Sequence, residues 1–128
     1  MPLHVRIVTP RKIAFDAEAT EFQAPAFLGR FGALPGHERY LAAVRPGRVV
    51  VTAAGGERTF VVGAGFVEVG PDQVTLLADL CEDAGTVAPD AAARALKEAE
   101  AELVSLQEGT VAWAEAERRA DLARARLG

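Results

Sequence analysis

The chain has little of what most catalytic and membrane proteins are built from. Cys81 is its only cysteine, so no internal disulfide can form, and a thiol with no partner thiol reads as a buried structural group. Only two histidines are present, His4 and His37; they fall in different segments and neither has a ligand partner at i, i+4, so no metal site is expected. No apolar run approaches the ~20 residues needed to span a bilayer. Met1-Pro2-Leu3-His4-Val5-Arg6 runs directly into an alternating segment, so no signal or transit peptide is expected and cytosolic residence is the default. No Gly-x-x-x-x-Gly-Lys phosphate loop occurs, and Gly63-Ala64-Gly65 lacks the third glycine of a dinucleotide loop; close strand packing accounts for it. Carboxylates such as Glu82-Asp83 stand in a charged run that solvation explains, and no nucleophile arrangement exists, so no catalytic residue is assigned. Aromatic residues make up only 6%, with Trp113 the single tryptophan, which disfavours an exposed aromatic platform for carbohydrate. The net charge of −4 argues against a nucleic-acid binder, because phosphate neutralisation needs a dense Lys/Arg surface.

What is present divides into two halves. From Leu3 to about Leu80 the pattern has period two, with turn chemistry at short, regular intervals. Arg48–Thr52 and Thr59–Val62 flank Ala53-Ala54-Gly55-Gly56, and Phe66–Val69 and Gln73–Leu77 flank Gly70-Pro71-Asp72. After Gly85 the composition shifts to Ala, Glu, Arg and Leu, the strong helix formers. Pro89 suits the first helical position, Asp90 complements the positive helix end, Gly109 suits a left-handed stop and Thr110 caps a second helix. Ala92, Leu96, Ala99, Leu103 and Leu106 form one apolar seam; Trp113, Ala116, Ala120, Ala123 and Leu127 form another. The short connection requires the two helices to run antiparallel. The expected fold class is therefore α+β: an N-terminal antiparallel β-sandwich or flattened barrel over residues 1–84, then an antiparallel helical hairpin over 85–128. Alanine seams bury little area at roughly 25 cal/mol per Å², so the hairpin is expected to be marginally held and detachable.

Two further features carry signal. Gly29-Arg30-Phe31-Gly32-Ala33-Leu34-Pro35-Gly36-His37 gathers turn formers into a shaped contact loop, with Pro35-Gly36 suited to the centre of a type II turn. His37 at its end reads as an interface residue rather than a ligand. On the second helix Glu115, Arg119, Leu122 and Arg126 share one stripe with Arg118 and Arg124 beside it, whereas the first helix carries Glu98, Glu100 and Glu102. Such arginines solubilise a helix and favour its C-terminal dipole, or dock on an acidic partner surface through their forked donors.

Together these residues resemble the epsilon subunit of bacterial and chloroplast F-type ATP synthases, the counterpart of the mitochondrial delta subunit. The resemblance rests on Ile7-Val8-Thr9-Pro10 with Phe15, on Phe31-Gly32-Ala33-Leu34-Pro35-Gly36-His37, on Arg45-Pro46-Gly47, on Gly65-Phe66-Val67-Glu68-Val69 and on Val74-Thr75-Leu76-Leu77-Ala78-Asp79. It implies a non-catalytic rotor subunit of the central stalk, peripheral on the cytoplasmic side of the bacterial plasma membrane. The implied partners are the gamma subunit, the c-subunit ring and, through the C-terminal helix, the catalytic head. It implies that the hairpin folds onto the sandwich or extends along gamma to inhibit ATP hydrolysis. Thr9, Phe31, Pro35, Gly36 and His37 match rotor-interface positions, and Arg30 stands in the part that meets the polar loops of the ring, where relatives often carry an acid. Arg118, Arg119, Arg124 and Arg126 lie where relatives present basic residues to an acidic loop of the catalytic beta subunit. Some relatives bind ATP through Ile/Leu-Asp-x-x-Arg-Ala; here Asp90 and Arg94 are separated by one residue too many, about 100° of helix, so regulatory ATP binding is not expected and no cofactor is assigned. The competing reading is a stand-alone β-sandwich ligand-binding module with a helical dimerisation tail.

Overall fold

A computed structural model describes residues 2–27 and 29–128, leaving Met1 and Leu28 outside the described residues. Ten strands run in order: β1 (Leu3–Val8), β2 (Ile13–Ala19), β3 (Glu21–Ala26), β4 (Gly29–Ala33), β5 (Tyr40–Val44), β6 (Gly47–Ala53), β7 (Gly56–Val62), β8 (Gly65–Val69), β9 (Gln73–Ala78) and β10 (Cys81–Asp83). A short 3₁₀ turn (Ala84–Thr86) leads to α1 (Pro89–Ser105) and α2 (Val111–Leu127). The strands pair in the order β10-β7-β6-β3-β5-β8-β9-β1-β2, with β4 added on β3.

This ladder folds over where β3 meets β5 through the single pair Ala26 and Val44, giving two layers around one core. Alternation aims Leu3, Val5, Ile7, Val67, Val69, Val74 and Leu76 from one layer at Phe22, Val49, Val51, Phe60 and Val62 from the other, all buried. Each such aliphatic or aromatic side chain contributes about 1.5–3 kcal/mol on burial. Phe15 on β2 meets Phe60 on β7 edge to face, ring centroids 5.7 Å apart, which closes the open side of the flattened barrel.

The sandwich is antiparallel except at one place. β1 lies parallel to β9, Val5 beside Val74 and Ile7 beside Leu76, which an all-antiparallel reading does not anticipate. The β6–β7 hairpin closes through Ala53 and Gly56 with Ala54-Gly55 between them, and β8–β9 turns at Gly70-Pro71-Asp72, as the turn residues predict. Gly63 and Gly65 mark a close approach: a Cβ on Gly65 would stand 1.8 Å from the Leu77 carbonyl oxygen, and one on Gly63 1.6 Å from Asp79 Oδ1.

The helical hairpin forms with its expected seams inward. Ala92 and Ala99 of α1 and Ala116, Ala120 and Ala123 of α2 are buried, while Leu127 at the seam's end is exposed. Pro89 occupies the first turn, and Thr110 Oγ1 accepts from the Trp113 amide at 3.2 Å. α1 ends at Ser105, so Gly109, at φ +87°, shapes the connection rather than the helix end itself.

Candidate functional site

The segment read as a loop from Gly29 to His37 is half strand. Gly29–Ala33 forms β4, with Phe31 opposite Ala24 and Arg30 opposite Pro25, because pairing with β3 overrides the low strand propensity of two glycines. Phe31 turns inward, its ring 5.3 Å from that of Tyr40 and 6.2 Å from that of Phe22, so it shapes the surface from beneath. The contact turn is Leu34–His37. The His37 amide donates to the Leu34 carbonyl at 3.1 Å and Gly36 has φ +89°, the geometry of a type II turn with Pro35-Gly36 at its centre. The Gly36 amide donates to the Pro71 carbonyl at 2.6 Å, anchoring this turn to the β8–β9 turn. His37 Nδ1 lies 2.5 Å from the Glu38 carbonyl oxygen, which only accepts, so Nδ1 carries the proton and Nε2 is left as the outward atom.

Thr9 sits at the opposite end of the sheet. Its amide and hydroxyl both donate to the Lys12 carbonyl, at 2.9 and 3.1 Å, in the turn after β1. Val8, next to it, is level with Leu77 on β9, whereas the His37 turn is tied to Pro71; six residues of extended chain put roughly 20 Å between the two. At the Thr9 end the same layer holds a feature not singled out from the sequence. Ala43, Phe66, Leu77, Val8 and Ile13 are successive cross-strand partners on five strands, and all point away from the core. Phe66 is 60% exposed, Leu77 54% and Ile13 53%, with Leu41 at 71% nearby on β5. A row of this kind marks a docking face. Its signal lay in strands apolar on both faces, Ile7-Val8 and Leu76-Leu77, but only the register aligns them.

The hairpin is folded onto the other layer. α2 lies over β6 and β7 on the face to which Val61 points, opposite to Phe60 and Val62. Polar contacts hold its C-terminal half. Arg45 donates to Asp121 at 3.1 Å; Arg48 Nε and Nη2 donate to the carbonyls of Ala125 and Arg126 at 2.6 and 3.3 Å; Arg126 makes a two-pronged pair with Glu82, at 3.0 and 2.5 Å. Arg48 thereby satisfies carbonyls that a helix C-terminus leaves unpaired.

The arginine stripe is largely engaged in this posture. Arg119 pairs with Glu102 of α1 at 2.5 Å, and Arg124 pairs with Asp121 at 3.2 Å and Glu100 at 3.8 Å. Arg118 is exposed and lines a cleft of about 320 Å³ with Glu115, Asp79 and Leu80. Arg30 joins neither the Leu34–His37 turn nor Thr9: its Nη1 donates to the Arg48 carbonyl at 2.9 Å, beside the end of α2. Asp90 and Arg94 are exposed on α1, and no ion pair joins them among the described residues.

Two groups of β10 are displaced from their ordinary values. Burial pushes the Cys81 thiol up to about 11, with the Lys12 charge opposing, which keeps it protonated and inert. Asp83 is held below its ordinary value by the Gly85 amide and then by Arg58. Among the described residues no group of three His, Cys, Asp or Glu converges as a metal site, and no helix is long and apolar enough to cross a membrane.

Residues 2–84 match the family profile for the ATP synthase Delta/Epsilon chain, beta-sandwich domain. Over 108 residues, 84% of this chain and 82% of the relative, the sequence is 37% identical to the ATP synthase epsilon chain of Anaeromyxobacter sp. (strain K). Over 98 residues it is 38% identical to that of Myxococcus xanthus, covering 77% and 72% of the two chains. In structure, a chain of the Euglena gracilis mitochondrial ATP synthase OSCP/F1/c-ring assembly superposes with TM-score 0.83 at 20% identity, over 96% of this chain and 78% of that one. A chain of the Tetrahymena thermophila mitochondrial ATP synthase central stalk/c-ring superposes with TM-score 0.61 at 15% identity, over 98% and 94%.

Proposed function

The chain belongs to the delta/epsilon family of ATP synthase, in which it is a non-catalytic stalk subunit, and from that premise we propose how its two halves divide the work. The sandwich, residues 1–84, binds the gamma subunit and the c-ring and couples the catalytic head to ion flow. The hairpin, residues 85–128, is a regulatory element that inhibits ATP hydrolysis when extended. On this reading the chain sits peripherally on the cytoplasmic side of the bacterial plasma membrane.

The observation that carries the coupling role is the outward-facing row Ala43, Phe66, Leu77, Val8 and Ile13, of which Phe66, Leu77 and Ile13 are exposed. It gives this layer an apolar band beside Thr9, separated from the His37 turn by the polar row Glu68, Thr75 and Arg6, of the kind a rotor shaft packs against. Arg30 and its strand are assigned to the polar loops of the ring. For regulation, Arg126 is paired with Glu82 of the sandwich and Arg119 with Glu102 of α1 while the hairpin is folded down, so releasing α2 from both frees these two, with Arg118, for an acidic loop of the beta subunit, while Arg124 keeps Asp121 of its own helix. Exchange of one set of carboxylates for another changes little in net energy, which suits a reversible element.

The test is co-elution with purified gamma. The wild-type chain should form a stoichiometric complex, and Phe66→Glu should weaken it about tenfold or more while leaving the thermal midpoint nearly unchanged, since that ring is largely exposed. No complex with gamma, or full binding by Phe66→Glu, would refute the assignment of this face.

A further inference from the structure

Among the described residues three strands end the sheet, β10, β2 and β4, and only β4 lacks a guard on its open edge. β2 carries Asp16 and Glu18 and is shut against β7 by Phe15 and Phe60; β10 is short and holds Glu82 and Asp83. β4 pairs with β3 alone, in unbroken register, and contains no proline. Its one charged side chain, Arg30, reaches back across β3 to the Arg48 carbonyl on β6, away from the edge. The Pro25 carbonyl accepts from the Arg45 amide at 2.8 Å, so at the Pro25–Arg30 pair the backbone groups of the two strands point away from each other. The N–H and C=O of Arg30, and by alternation those of Gly32, therefore face out of the sheet, and no turn or loop bond reaches them among the described residues. Large apolar side chains stand exposed at both ends of this edge, Phe27 at 64% and Leu34 at 57%.

We propose that an extended segment of the gamma subunit adds to β4 as a further strand, an inference that rests on the rotor reading. The N–H and C=O groups of Arg30 and Gly32 supply the main-chain bonds of such an addition. The side chains of the segment alternate. The one level with Phe31 turns inward onto the Phe31 and Tyr40 rings and is apolar; the one level with Gly32 turns outward, where the glycine leaves room for an aromatic ring. Continuity points to gamma as the source: Phe31 meets Tyr40 on β5, the strand that carries the Ala43 end of the outward apolar row, so a partner seated on that row lies beside the β4 flank. Strand addition uses only the backbone of Arg30, whose side chain keeps its assignment to the ring.

Titration of purified gamma with the full chain tests it. Gly32→Pro removes the edge N–H and sets a ring methylene in its place, yet breaks no bond to β3; gamma affinity should fall about tenfold or more while the thermal midpoint stays nearly unchanged. Gly32→Ala keeps the N–H, and its Cβ would meet only Gln23 Cγ at 3.7 Å and the Phe22 carbonyl oxygen at 3.8 Å, so it should bind within about threefold of wild type. Residue-resolved hydrogen exchange on the wild-type chain decides the matter even where Gly32→Pro fails to fold. Alone, the Arg30 and Gly32 amides should exchange fast and those of Phe31 and Ala33 slowly; with gamma bound, the first two should slow about tenfold or more. Unchanged exchange at Arg30 and Gly32 in the complex, wild-type affinity in Gly32→Pro, or equal losses in Gly32→Pro and Gly32→Ala would overturn the strand addition, and a weakened Phe66→Glu in the same series would leave the apolar row standing without it. Failure of the wild-type chain to bind gamma would overturn both.

Discussion

Replacing Glu82 by glutamine should loosen the hairpin from the sandwich without disturbing either. Glu82 and Arg126 form a two-pronged pair, 3.0 and 2.5 Å, with side chains 34% and 29% exposed. Fully exposed pairs contribute about 0.2–1 kcal/mol, and removing one partner of a fully buried pair costs about 3–5 kcal/mol. At one-third exposure the loss falls between, about 1.5 kcal/mol, because glutamine retains one acceptor while Arg126 loses its counter-charge. That is close to a tenfold rise in the undocked population. Among the described residues the remaining polar contacts of α2 with the sandwich are Arg45 to Asp121 and Arg48 to two carbonyls, and the buried side chains of α2 are alanines, so no large apolar reserve masks the change. The initial rate of tryptic cleavage within α2 reads that population when docking is fast relative to cutting. It should rise about tenfold in Glu82→Gln at low salt, converge with wild type near 1 M salt where the screening length is about 3 Å, and stay unchanged in Glu57→Gln at the exposed start of β7. Wild-type cleavage in Glu82→Gln at low salt would refute the argument that this pair holds the hairpin.

Three other outcomes are expected. Gly65→Ala should destabilise the fold by about 3 kcal/mol in denaturant titration, since its Cβ would meet the Leu77 backbone at 1.8 Å, whereas Gly55→Ala, with open space around it, should be tolerated. Cys81, at about 11 against an ordinary 9.0, should at pH 8 be alkylated about a hundredfold more slowly than a free thiol; the raised value means the folded state loses stability as pH climbs from 9.0 toward 11, where only the unfolded chain ionises readily. Ending the chain after Ala84, just past β10, should leave assembly intact and raise ATP hydrolysis of the reconstituted enzyme; unchanged hydrolysis would reject the regulatory role while leaving the stalk assignment standing.

Local chemistry was readable in advance. The turns at Leu34–His37, Ala54-Gly55 and Gly70–Asp72, the Thr110 cap and both alanine seams depend on neighbours within a few positions, and the structure has them. What escaped depends on partners distant in sequence. β4 exists because β3 pairs with it, β10 because β7 offers an edge, and the outward apolar row because β5, β8, β9, β1 and β2 fall into one register. Arg45 stood out only within Arg45-Pro46-Gly47 and Arg48 only as the start of a strand; their use as clasps for α2 requires knowing where the hairpin lands.

The parallel seating of β1 beside β9 sets an order on how the molecule comes into being. β1 precedes the other nine described strands in the chain, yet it is an interior strand, with β2 on one flank and β9 on the other. Only the β2 side is available early, and a lone two-stranded ribbon is marginal in water. Leu3, Val5 and Ile7 therefore stay without a finished core until some seventy further residues have been made, and the long loop closed by that late pairing makes the last step of sandwich formation its slowest. The nascent chain spends that interval with these apolar side chains uncovered, which is where a holding chaperone would bind it.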